Sequence, residues 1–115
     1  MHHSRLGVVV IDCQTDELGD AAAFWGAALG KPVKIEDDGR YATVGSRDDR
    51  PCVLIQAVDH APRVHLDIET DNQEAEAARL TQLGATEVAR IKGWIVMEAP
   101  TGHRFCLVNP QNDSF

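Results

Sequence analysis

From Gly7 to Cys13 the chain runs Gly-Val-Val-Val-Ile-Asp-Cys, a β-branched stretch suited to a buried strand. The period then becomes helical over Ala21 to Leu29, with Phe24, Trp25 and Ala28 expected on the core side. Asp20 is placed to cap this helix, Gly30 to end it in the left-handed region, and Pro32 to prevent its resumption. Three short strands are expected next, at Val33–Glu36, Arg40–Val44 and Cys52–Val58. They are separated by turns at Asp37-Asp38-Gly39 and Ser46-Arg47-Asp48-Asp49. The same plan then recurs: a strand at Arg63–Glu69, a helix at Gln73–Leu83 between Asn72 and Gly84, and strands at Thr86–Ile91, Trp94–Glu98 and Arg104–Val108.

The repetition is visible in the residues themselves. Asp12-Cys13-Gln14-Thr15-Asp16 returns as Asp67-Ile68-Glu69-Thr70-Asp71, 55 residues later. Leu29-Gly30 returns as Leu83-Gly84, Gly39 as Gly93, and Cys52-Val53-Leu54 as Cys106-Leu107-Val108, each at an offset of 54. These matches predict an α+β fold of two tandem βαβββ units, at about 5–58 and 62–109, within a single domain spanning 1–115. A unit with one helix covers one sheet face, so the expected architecture is a curved mixed sheet around a cleft with the helices outside.

A chain of 115 residues with 43% apolar composition has enough hydrocarbon for one core. Its formal charge of −7 repels phosphate backbones and anionic lipid surfaces, which argues against nucleic acid and membranes as partners. No apolar run approaches the ~20 residues of a membrane-spanning helix, and no secretion signal is recognisable, so a cytoplasmic location is expected. Cys13, Cys52 and Cys106 form no CxxC pair and no even set, so each is expected to be a free thiol. No glycine-rich phosphate loop is present, and none of Ser4, Ser46 and Ser114 lies on a strand-to-helix elbow suited to a hydrolase. The pairs Asp37-Asp38 and Asp48-Asp49 are more simply solvated turns than calcium sites.

Strand alternation selects the candidate chemistry, because residues two apart share a face. On Arg63–Glu69 it sends Val64, Leu66 and Ile68 to the helix side and Arg63, His65, Asp67 and Glu69 to the cleft. On Arg104–Val108 it sends Phe105 and Leu107 to the core and Cys106 to the open face, while Cys52, Leu54 and Gln56 share one face of their strand. His65 then reads as a ligand, a general base, or a half-buried histidine bonded to Asp67. Asp67 and Glu69 read as solvated charges, with Asp67 alternatively orienting the imidazole. Cys52 and Cys106 read as small buried residues, or with His65 as a zinc-type set. Nucleophilic use of Cys106 would need a base or positive field beside it, and no motif in the sequence supplies one. Trp94, more than Tyr41, is the aromatic placed to stack on a planar ligand.

The segments Val10-Ile11-Asp12-Cys13, Ala23-Phe24-Trp25-Gly26-Ala27-Ala28-Leu29-Gly30, Val64-His65-Leu66-Asp67, Leu83-Gly84-Ala85 and Ala99-Pro100-Thr101-Gly102-His103-Arg104-Phe105-Cys106 give the chain a family likeness. In their order and spacing it resembles the vicinal oxygen chelate superfamily of glyoxalase I, bleomycin-resistance proteins and extradiol dioxygenases, in its glyoxalase-like branch. The resemblance implies four metal positions, one on the first and one on the last strand of each half. They fall on Val10 and His65, and on Cys106 and Cys52, with Gln56 replacing Cys52 if that strand slips. Only His65 is a usual ligand of the family. The resemblance therefore implies a protein that holds a small organic molecule in a cup lined by His65, Cys106, Gln56, Trp94 and Arg63, without the usual metal. The alternative it implies is a divalent-metal lyase, isomerase or dioxygenase using His65, Cys106 and Cys52. It also implies a homodimer.

Overall fold

The computed structural model describes residues 1–112. It contains eight strands and two helices in the order strand, helix, three strands, twice over. The chain forms two compact units, one holding Val8–Val64 and the other joining Met1–Gly7 to the chain from His65 onward. Both changes of unit fall inside a strand: one within β1 (Ser4–Gln14), the other within β5 (Arg63–Thr70).

In the unit of Val8–Val64, β1 is followed by α1 (Gly19–Leu29), β2 (Val33–Ile35), β3 (Tyr41–Val44) and β4 (Cys52–Val58). The strands lie in the order β2-β3-β4-β1, with β4 parallel to β1 and antiparallel to β3. Leu18, Ala22, Ala42, Val44, Ile55 and Ala57 make the core beneath α1. The helix approaches the sheet closely at Gly26, where an added Cβ would sit 2.6 Å from a Val33 methyl. On the opposite face Val8, Val10, Cys52 and Leu54 form a second buried cluster, with Tyr41 against it. Three expectations for α1 change, one of them being that Ala28, expected on the core side, is exposed. The helix begins one residue before Asp20, which lies in the first turn; the N-cap is Leu18, whose carbonyl accepts the Ala22 N–H. Phe24 is 62% exposed, because the stripe through Leu18, Ala22, Trp25 and Gly26 faces the sheet and residue 24 lies about 100° around from Trp25. Phe24 instead packs edge-on against the Trp25 ring, 5.1 Å between centroids.

The other unit carries β5, α2 (Gln73–Gln82), β6 (Thr86–Ile91), β7 (Trp94–Glu98) and β8 (Arg104–Val108), with strands in the order β5-β8-β7-β6. Asn72 caps α2 by accepting the Ala75 N–H, as the sequence predicts. Beneath α2 lie Ala77, Ala85, Ile95, Met97 and Leu107, with Ile68, Leu80 and Phe105 packed against them. The expected helix-side row on β5 holds only at Ile68. Val64 and Leu66 are 54% and 40% exposed, since α2 packs over β6, β7 and β8 and leaves the start of β5 uncovered. Among the described residues no helix is long and apolar enough to cross a membrane.

Candidate functional site

Strand β8 runs parallel to β5 and pairs Asp67 with Cys106 and Ile68 with Leu107. On its other side β8 is antiparallel to β7, where Cys106 meets Val96. Residues in register share a face, so His65 and Asp67 on β5, Cys106 on β8, and Trp94 and Val96 on β7 all occupy the face opposite α2. Three of them converge. The imidazole Nε2 of His65 lies 3.7 Å from Asp67 Oδ1, and their side chains are 17% and 20% exposed. The thiol of Cys106, also half-buried, completes a group in which nitrogen, oxygen and sulfur all lie within 4.8 Å of one another. That spacing suits a cation as well as proton transfer between the groups.

Further along β5 the environment closes. Glu69 is fully buried, not solvated as expected, because Arg5 reaches it with Nε 2.8 Å from Oε1, while the Gln111 N–H donates to Oε2 at 3.3 Å. Arg5 also donates to Asn112 Oδ1. Gly7 makes room for this carboxylate, since an added Cβ would lie 2.3 Å from Glu69 Cγ. At the edge of the same face Trp94 is 40% exposed, and Arg104 pairs with Glu98 at 2.9 Å.

The unit of Val8–Val64 has its own polar group. Asp12 on β1 is buried, stands in register with Gln56 on β4, and Gln56 in turn with Tyr41 on β3. Arg63 brings its Nε to 3.7 Å from Asp12 Oδ2 and contacts His60. Cys52 lies in the same unit, surrounded by Val8, Val10 and Leu54. The third thiol, Cys13, is on the helix side; burial and then the charge of Asp12 push its pKa up.

The structure thus gathers His65 and Cys106, adds Asp67 as their partner, and puts Trp94 on their face. Gln56 and Arg63 cluster instead with Asp12, and Cys52 with hydrocarbon. Asp67 was legible on the strand face, but its pairing with Cys106 is a matter of the β5/β8 register, which no local pattern encodes. The other candidates settle simply. Ser4 bonds Thr70 on β5, Ser46 sits in a turn whose N–H is accepted by Asp49, and Ser114 lies outside the described residues. Asp38 accepts the Arg40 N–H in its own turn.

The four-position metal pattern of the resembling superfamily does not fit these residues. Its first-strand position in the first half is Val10, 1% exposed and packed on Val8, Cys52 and Leu54, where a cation would meet hydrocarbon. Val10 therefore offers no ligand atom to a site of that type.

Solved structures share the architecture. The 2,2',3-trihydroxybiphenyl 1,2-dioxygenase of Sphingomonas wittichii strain RW1 superposes with a TM-score of 0.64 at 17% identity, over 96% of this chain and 42% of its own. The chain thus spans well under half of that dioxygenase. A hypothetical protein of Bacillus halodurans C-125, BH1468, matches with a TM-score of 0.65 at 9% identity over 97% of this chain and 98% of its own. At such identities the likeness is one of fold. No curated protein matches the sequence. The family model of the glyoxalase-like domain, by contrast, matches residues 8–108, nearly the whole length, and the chain therefore belongs to the glyoxalase-like domain family of the vicinal oxygen chelate superfamily.

Proposed function

We propose that the protein binds a small organic molecule on the strand face that carries His65, Asp67, Cys106 and Trp94, without the four-ligand metal of its superfamily. The observation that carries this reading is the replacement of a first-strand ligand by buried Val10 while the second half keeps a half-buried polar group beside an exposed indole. Such a face offers hydrogen-bond donors and acceptors for orientation and Trp94 for stacking. Arg63 and Gln56, which cluster with Asp12 in the other unit, are left out of this site, and the protein is proposed to act as a cytoplasmic homodimer.

The spacing of His65, Asp67 and Cys106 favours one second reading: a lyase, isomerase or dioxygenase that holds a single soft cation on these three donors, leaving a position open to substrate. Elemental analysis of protein purified without chelator, after expression with zinc, iron, nickel and manganese supplied, separates the two. The binding reading expects metal well below one equivalent and thermal-shift hits among small organic compounds, lost in His65→Ala at nearly unchanged melting temperature. One equivalent of metal that disappears in His65→Ala establishes the second reading and overturns the first.

A further inference from the structure

We propose that the outward side of α1 is the surface through which two copies of this chain pair, their helices antiparallel across a two-fold axis with Asp20 of one copy beside Lys31 of the other. The proposal rests on the homodimer reading above and gives that dimer its interface.

The internal repeat shows what a solvated helix looks like in this fold. In the equivalent place α2 exposes Glu74, Arg79, Thr81 and Gln82. Between Asp20 and Lys31, by contrast, α1 carries only alanine, glycine, leucine and aromatic residues. A helix that is apolar all round is one that is covered all round. Its sheet side is covered through β2 and β3, where Leu18, Ala22 and Trp25 pack. At 100° per residue, Asp20, Phe24 and Ala27 stand on the other side, and all three are exposed, Phe24 at 62%. Helix propensity accounts for an exposed alanine but not for an exposed phenylalanine, a weaker helix former. The Phe24 ring is already held edge-on against Trp25, 5.1 Å between centroids, so it meets a partner with little freedom to lose. The apolar surface continues at Leu29, 45% exposed, and at Ile35 on the edge strand β2, 43% exposed.

The charges at the two ends select a second copy as the occupant. Asp20 lies in the first turn of α1, and Lys31 follows the left-handed Gly30 that ends it. The Lys31 side chain is 55% exposed, with its ammonium 3.9 Å from Asp49, the outer limit of an ion pair. Positions 20, 24, 27 and 31 are spaced four, three and four apart. An antiparallel copy with its axis between residues 25 and 26 therefore sets 20 against 31 and 24 against 27, and each contact occurs twice, as a two-fold requires. Each Phe24 ring then lies over the partner's Ala27, whose small side chain lets the helix axes approach to about 8 Å. The same alignment puts the positive N-terminal end of each helix beside the negative C-terminal end of the other, whose last turn holds no basic residue. A formal charge of −7 per copy opposes self-association over most of the surface, whereas this stripe carries one charge of each sign.

From Asp20 to Lys31 the stripe is about 16 Å long, a small interface of the class below about 1,200 Å², so a micromolar dimer is expected. Sedimentation equilibrium of the full-length protein at pH 7 between about 1 and 300 µM tests it. Wild type is expected to rise from 12.6 kDa toward twice that mass across this range. Phe24→Glu, which removes the central aromatic, is expected to weaken the dimer at least about thirtyfold. Ala27→Glu keeps a good helix former at an exposed position and is expected to weaken it likewise, which covers the case in which Phe24→Glu disturbs Trp25 and fails to fold. Lys31→Glu is expected to weaken it about three- to tenfold, and Asp20→Lys/Lys31→Glu to restore it to within about twofold. A wild-type dimer unchanged in a folded Ala27→Glu keeps the homodimer and refutes this interface. Weakening by Lys31→Glu that the double variant does not restore refutes the antiparallel pairing. A wild type that stays at 12.6 kDa up to about 300 µM refutes the interface and the homodimer together, and leaves the α1 face to a different partner.

Discussion

Replacing Arg5 with Met would strip the fully buried Glu69 carboxylate of its cation, and the size of the loss follows from how unequally the pair is buried. The Glu69 side chain has no exposed surface, whereas that of Arg5 is 24% exposed and also bonds Asn112. Removing the partner of a buried charge costs about 3–5 kcal/mol, and the Gln111 N–H on Oε2 points to the lower end. With an unfolding entropy of about 2.1 cal/mol/K per residue, a chain of this length loses roughly 4 °C for each kcal/mol, so Arg5→Met should melt about 12 °C lower. Glu69→Gln should cost only about 1–2 kcal/mol, because Arg5 keeps Asn112 and can turn toward water. The double variant Arg5→Met/Glu69→Gln should recover much of the loss, giving a coupling of about 2 kcal/mol or more. Urea and thermal melts of the four proteins at pH 7 measure this cycle. Equal, small losses for the two single changes and no coupling would refute the idea that an unevenly buried ion pair holds Met1–Gly7 onto β5.

Further outcomes can be measured alongside. Glu76 on α2 is buried, and the hydrogen bonds from Arg79, helped by His2, hold its pKa at about 2 against the burial that would raise it. Its folded-state pKa is depressed, so its contribution is complete above the unfolded value of 4.5 and is lost as pH falls from about 5 toward 2. A shift of about 2.5 units at 1.36 kcal/mol each sets an upper figure of about 3 kcal/mol, and the melting difference between wild type and Glu76→Gln should shrink steadily between pH 5 and pH 2.5; a difference independent of pH would count against this account. Gly26→Ala places a methyl against Val33 and 3.2 Å from the Lys31 carbonyl, so it should destabilise by about 1–3 kcal/mol even though alanine favours helix, a reversal read by chemical denaturation.

The sequence by itself determined the βαβββ plan, the Asn72 cap, the chain ends of most strands and the alternation that put His65, Cys106 and Trp94 on one kind of face. These are local properties: side-chain period, turn chemistry and capping act over a few residues, and the internal repeat confirms each reading with a second copy. Local pattern failed where distant chain decided. Phe24 looks like core in a helix period, but the stripe that buries it or exposes it depends on which side of α1 meets β2 and β3. Val64 and Leu66 look like a helix-facing row, yet α2 stops short of them. Glu69 reads as a solvated charge until Arg5, distant in sequence, is seen beside it. The same holds for the candidate site. The sequence puts His65, Asp67 and Cys106 on open strand faces, and only the parallel register of β5 against β8 brings Cys106 opposite Asp67 and close to His65, because strand pairing is set by packing and hydrogen bonding between segments that carry no mark of each other in their local composition.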